Sequence, residues 1–144
     1  MRLTSFTDFA LRTLMRLAAD PDRAFTTDEI AQTYAISRNH LTKVVRELAE
    51  GGFIITQRGA GGGMRLARPA TEIMLGAVVR RMEAPQPLVE CFRQDGGSCV
   101  MSGQCRLKAR LAHAREVFLA DLDQTSLQDC AWSPLSRSTP LALT

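Results

Sequence analysis

The 144-residue sequence has no apolar run long enough to span a bilayer, and its opening, Met1-Arg-Leu-Thr-Ser-Phe-Thr-Asp8, lacks the continuous apolar region of a signal peptide. The expectation is a soluble cytoplasmic protein with no membrane partner. Histidine is scarce, with only His40 and His113 present, so a site built mainly from imidazole is excluded. No Cys-x2-Cys pair occurs, which removes the tight bite that structural zinc favours. There is no internal repeat, and no acid–base pair points to catalysis, so an enzyme is not expected. Negative charge is short in one place. Residues 36–68 carry six basic side chains (Arg38, Lys43, Arg46, Arg58, Arg65, Arg68) against only Glu47 and Glu50.

What is present fits one domain with an extension, at 45% hydrophobic composition. The net charge of +3 lies wholly in the first half: residues 1–68 hold ten basic and seven acidic groups, and residues 69–144 hold eight of each. A local positive surface is the minimum that a phosphate backbone demands.

Phe6, Phe9, Ala10, Leu14, Leu17 and Ala18 recur at helical spacing behind a Thr4 or Ser5 cap, predicting a helix that ends near Asp20-Pro21. A second helix follows Thr26-Thr27-Asp28-Glu29 and stops at Tyr34-Ala35-Ile36. Ser37 caps a third, which runs to Glu50 with Leu41, Val44, Val45 and Leu48 on one face. The period then changes. Phe53-Ile-Ile-Thr56 and Met64-Arg-Leu-Ala67 read as short strands around the turn Arg58-Gly-Ala-Gly-Gly-Gly63. A fourth helix carries Leu75, Val78, Val79 and Met82 and ends before Pro85. A long fifth begins at Arg106, with Leu107, Leu111, Ala114, Phe118 and Leu122 in register, and Thr125 caps a last short turn through Leu127.

The fold class is therefore mainly α with a small β-wing. A winged helix-turn-helix domain spans residues 1–84, with its recognition helix at about 37–50 and its wing at about 53–67. A cysteine loop follows at 85–105, then the long helix and last turn at 106–130, and a Ser- and Pro-rich tail at 131–144 that is expected to be disordered.

In this architecture the second helix of the pair enters the major groove. Ser37, Arg38, Asn39, His40 and Lys43 then face base edges, where Arg suits guanine and Asn suits adenine. Arg58, Gly61, Gly62 and Arg65 on the wing are placed to approach phosphates or a minor groove. A solvated helix face and an ordinary hairpin turn are the plainer alternatives.

Cys91, Cys99 and Cys105 are separated by seven and then five residues. In a reducing compartment, thiols this close point to metal ligands or redox groups. Spacings this long suit an iron-sulfur cluster better than zinc, and a reversible disulfide is the other reading. Three thiolates leave one ligand short of the usual four. Cys130 stands apart and reads as a buried core thiol.

Taken together, Met1-Arg-Leu-Thr-Ser-Phe-Thr-Asp-Phe-Ala-Leu-Arg12, Ser37-Arg-Asn-His-Leu-Thr-Lys43, the glycine-rich wing and the three-cysteine loop before Cys105-Arg-Leu-Lys108 resemble the nitric-oxide-sensing repressors. These belong to the winged-helix family that also contains the iron-sulfur regulator IscR, and the resemblance runs from Met1 to about Leu127. It implies a homodimer joined through the long helix from Arg106, with one oxygen-sensitive [4Fe-4S] cluster per subunit. It also implies that Asp8 of the partner subunit completes the ligand set of Cys91, Cys99 and Cys105. From its position alone, Asp8 is a carboxylate favourably placed in the first turn of a helix.

The function implied is repression at a palindromic operator, on double-stranded DNA half-sites about 34 Å apart. Nitric oxide acting on the cluster releases the repressor, and detoxification genes are expressed. An IscR-like [2Fe-2S] regulator is the alternative, but it would place a histidine where Lys108 stands. An iron-sulfur redox protein or enzyme is an alternative of another class. The seven residues between Cys91 and Cys99 exceed the spacing of many relatives.

Overall fold

The structure is a computed structural model and describes residues 2–101 and 103–132. Among these residues, five α-helices and one two-stranded antiparallel sheet follow in the order expected.

Helix α1 spans Ser5–Ala18. The Thr4 side chain caps it by accepting the Thr7 amide at 3.2 Å, and Ala10, Leu14 and Leu17 are almost wholly buried along one face. Helix α2, Thr27–Tyr34, opens on a reciprocal capping box. Thr26 accepts the Glu29 amide, and the Glu29 carboxylate accepts the Thr26 amide at 2.8 Å. It closes at Ala35, which sits in the left-handed region at φ 53° and lets the Ile36 amide return to the Ala31 carbonyl. Helix α3, Arg38–Glu50, follows after Ser37 and buries Leu41, Val44 and Leu48.

Strands β1, Ile54–Gln57, and β2, Gly63–Leu66, pair from Ile54 opposite Leu66 to Gln57 opposite Gly63. The alternation turns Ile54 and Met64 into the core and leaves Ile55 exposed. Phe25, in the connection between α1 and α2, exchanges both backbone hydrogen bonds with Met64, at 3.0 and 2.7 Å. A Cβ on Gly63 would stand 2.7 Å from the Phe25 carbonyl oxygen, so this approach needs glycine. The wing is thus fastened to the helical body as well as to itself.

Helix α4, Leu75–Glu83, buries Val78, Val79 and Met82. The long helix α5, Arg106–Leu122, crosses it closely enough that a Cβ on Gly76 would fall 2.6 Å from the Leu119 carbonyl oxygen. Arg80 donates two hydrogen bonds to Asp123, at 2.8 and 2.6 Å. That pairing holds the Asp123 carboxyl below the usual carboxylate range. Past α5 the chain laces back onto the domain: the Leu75 amide reaches Thr125, the Leu127 amide reaches Ile73, and Leu127 is fully buried.

Three sequence expectations change in detail. The last turn, Leu127–Cys130, is capped by Ser126 with Asp129 and not by Thr125, because only Ser126 has the acidic partner three residues on. Residues 131 and 132 are packed, not disordered. The Trp132 amide donates to the Met15 carbonyl at 3.0 Å, and its indole lies 5.6 Å from the Tyr34 ring. The rest of the expected tail lies outside the described residues. Cys130 is half-buried, and desolvation pushes its thiol up in pKa.

Candidate nucleic-acid interface and metal centre

Ser37 accepts the His40 amide at 3.3 Å and so starts α3, which leaves Arg38, Asn39, His40 and Lys43 exposed on its first turns. The opposite face is anchored by Leu41, Val44 and Leu48. At the far end of the helix, Glu47 pairs with Arg81 at 2.7 Å, and Glu50 pairs with Arg46 at 3.4 Å. The two acids that temper this basic stretch are therefore drawn to the C-terminal half of α3, away from the end expected to meet bases. Among the described residues, Lys43, Arg58 and Arg65 have no carboxylate within ion-pair distance.

Asp28 is a residue that the sequence did not single out. It lies on α2 and pairs with the Arg38 guanidinium at 3.0 Å, with both side chains largely exposed. Its place one helix earlier in the chain hid it from a reading by local charge. On the wing, Arg58, Gly61 and Arg65 are exposed, and Gly61 has φ 73° with open space around it. Gly62 serves the turn itself, since a Cβ there would lie 2.4 Å from the Gln57 carbonyl oxygen.

The cysteine loop leaves α4 at Ala84 and enters α5 at Cys105. Cys91 sits in a single 3-10 turn, Glu90–Phe92, and Cys105 occupies the position just before α5, where the helix dipole favours negative charge. The three thiols are free and half-buried. Glu90 and Asp95 hold the loop: the Ser98 amide donates to Glu90 at 2.8 Å, and the Gly97 amide donates to Asp95 at 3.0 Å. Gly97 must be glycine here, because it has φ 64° and a Cβ would lie 2.6 Å from the Glu90 side chain.

Cys91 lines a cavity of about 1100 Å³ between this loop and α5, and Cys105 lines one of about 490 Å³. Phe92, Lys108 and Ala112 border both, so the two thiols open onto adjoining spaces that share Lys108 on their walls. Cys99 borders neither of these cavities. Among the described residues, no three Cys, His, Asp or Glu side chains gather closely enough to hold a metal ion. The three expected thiol ligands thus share one loop without converging, and Asp8 stands apart from them on α1.

The chemistry of the donors nevertheless fits an iron-sulfur group. Soft, unbridged thiols are carried by a glycine-containing segment, beside a cavity with a cation on its wall. Asp8 is half-buried in the first turn of α1 and is engaged by Arg12, which reaches it at 3.0 Å through Nε and 2.8 Å through Nη2.

A helix-turn-helix followed by an anchored hairpin, with a basic face at the start of its second helix, defines a winged-helix DNA-binding regulator. The chain belongs to the Rrf2 family, described as iron-dependent transcriptional regulators, whose pattern matches residues 3–132. It is 45% identical over 130 residues to the HTH-type transcriptional regulator NsrR of Geobacillus kaustophilus, covering 90% of this chain and 88% of that protein. The NsrR of Halalkalibacterium halodurans is equally similar, with 89% of its length covered. Among solved structures, CymR, the global cysteine regulator of B. subtilis, superposes with a TM-score of 0.72 at 26% identity, over 91% of this chain and 96% of CymR. T. potens IscR shares the fold, with a TM-score of 0.70 at 19% identity, over 90% of this chain and 85% of that one. The family and both NsrR relatives are transcriptional regulators and not enzymes. No helix among the described residues is long and apolar enough to cross a membrane.

Proposed function

We propose that the protein is a nitric-oxide-responsive repressor that binds a palindromic operator as a homodimer carrying one [4Fe-4S] cluster per subunit. The observation that carries this reading is the position of the three free thiols. They lie on one loop that joins α4, packed on α1 in the DNA-binding domain, to α5, whose apolar surface is largely uncovered. A group held there lies between the element that reads DNA and the element that pairs subunits. The NsrR relatives support the choice of signal, and Lys108 stands where an IscR-like protein would carry histidine.

Cys91, Cys99 and Cys105 would hold the cluster, with the partner subunit's Asp8 as the fourth ligand. When bound, the cluster supplies iron atoms that nitric oxide can attack. The chain's own contribution is positional. Thr4 starts α1 and sets the turn that displays Asp8, and Arg12 competes for that carboxylate whenever it is released. Arg38 and Asn39 supply planar groups for base edges with Lys43 beside them on the same face, while Arg58 and Arg65 neutralise phosphates. A dimer that loses the Asp8 connection shifts towards arrangements that no longer match both half-sites.

The test is native mass spectrometry of protein purified without oxygen, followed by operator footprinting. Four irons and four sulfides per subunit, with mass gained and footprint lost on adding nitric oxide, are expected. A zinc-bound protein, or a cluster and footprint indifferent to nitric oxide, would remove the proposed signal and leave a winged-helix DNA binder.

A further inference from the structure

The Glu83 carboxylate closes α4 and is half-buried against the first turn of α1. Its Oε1 accepts the Thr4 amide at 2.8 Å, the Thr4 hydroxyl at 2.9 Å, and a short hydrogen bond from the Thr7 hydroxyl. Three donors thus converge on one oxygen across 76 to 79 residues of chain. Thr7 is fully buried, and Thr4 is the residue that caps α1.

Neither position sits in the DNA-facing surface, and a helix cap needs only one acceptor, which Thr4 already provides to the Thr7 amide. The additional carboxylate serves a different end. On one side it fixes the turn whose next residue is Asp8, itself bonded through its amide to the Thr4 carbonyl at 3.0 Å. On the other side Glu83 is followed directly by Ala84, the first residue lining the cavity that Cys91 borders.

We propose that Glu83 is a positioning residue for Asp8. It locks the Thr4–Asp8 turn to the root of the cysteine loop, so that ordering of the loop and presentation of Asp8 become one event. The inference rests on the reading of Asp8 as a cluster ligand, and it adds a dependence between the two sites of the dimer. Each subunit's loop steadies, through its own Glu83, the carboxylate that completes the site in its partner. A loop disturbed in one subunit therefore weakens the site in the other.

The test uses the full chain, loaded with its cluster without oxygen, with iron release to a chelator followed by visible absorbance. Hydrogen bonds to a charged acceptor are strong enough that Glu83→Ala should release iron about tenfold faster. Glu83→Gln keeps the carbonyl acceptor and should recover most of that loss. Thr7→Val, which keeps the buried shape and removes one donor, should fall between them, and it carries the same test if Glu83→Ala fails to fold.

The decisive comparison is the double substitution. In an Asp8→Ala background, Glu83→Ala should add nothing, because the residue it positions is gone. In the apo chain, amide exchange at Thr4 to Asp8 should also quicken in Glu83→Ala. An unchanged release rate in Glu83→Ala and Thr7→Val would overturn the proposal while leaving the Asp8 reading intact. So would an equal acceleration with and without Asp8, which is the signature of a structural role alone. Asp8→Ala that itself leaves release unchanged would overturn both.

Discussion

At the scale of single residues, the turn between α2 and α3 is held in a conformation that its sequence does not favour. Ala35 has φ 53°, the one positive φ among the described non-glycine residues, and its Cβ carries the steric cost of the left-handed region. Ala35→Gly removes that cost but adds freedom to the unfolded chain, and the balance predicts stabilisation of about 0.5–1 kcal/mol in urea unfolding. Glu29 offers a check by pH. The Thr26 amide hydrogen bond, aided by the Thr26 hydroxyl and Arg23, outweighs desolvation and lowers its pKa. A carboxyl lowered on folding contributes stability above its unfolded value, and this is lost as pH falls through the folded value. Glu29→Gln should therefore flatten the acid limb of the stability curve below about pH 4, measured as the urea midpoint at successive pH values.

At the scale of elements, the crossing of α4 and α5 decides how firmly the long helix is tied to the DNA-binding domain. Gly76→Ala would drive a Cβ against the Leu119 carbonyl oxygen and the Asp123 carboxylate. The expected loss is about 2 kcal/mol, read by thermal or urea unfolding, with the contact between α4 and α5 opening first. The rest of α5 makes little contact with its own chain. Leu119 alone is buried, while Leu107 is 63% and Val117 54% exposed. In the proposed homodimer this surface is the joint, so Val117→Asp should turn a dimer into a monomer in sedimentation and weaken operator binding with it.

The helices and the wing were legible because their signals are local: caps at Thr4, Thr26 and Ser37, apolar periods behind them, and glycines at the hairpin. The stripe expected on α5 was legible as a pattern but not as burial. A period of Leu107, Leu111, Ala114, Phe118 and Leu122 looks the same whether it faces its own core or another subunit, and the structure buries Leu119 instead. The partners of Glu83 and Asp28 were hidden for the complementary reason. Thr4, Thr7 and Arg38 lie on other helices, and no spacing rule links a carboxylate to a hydroxyl 76 residues away.

At the scale of the whole molecule, the proposed complex divides charge and recognition between the wing and the start of α3. A basic side chain that meets only phosphate contributes to affinity through counterion release, with a slope of about −0.9 per contact in log K against log salt. Arg58→Ala should reduce that slope by about one without changing base preference. Arg38→Ala should relax preference at one position of each half-site. Fluorescence titrations at several salt concentrations on the cognate and a singly altered operator separate these outcomes, and the same result for both substitutions would contradict the assignment of roles.

The backbone exchange between Phe25 and Met64 bears on how such a molecule can let go of DNA. Through it the hairpin is tied to the connection leaving α1, and α3 packs on both α1 and β1. A tilt of α1 would therefore carry the start of α3 and the wing together. Helix and hairpin hang on one lever, so in the proposed complex both would leave the DNA in a single movement.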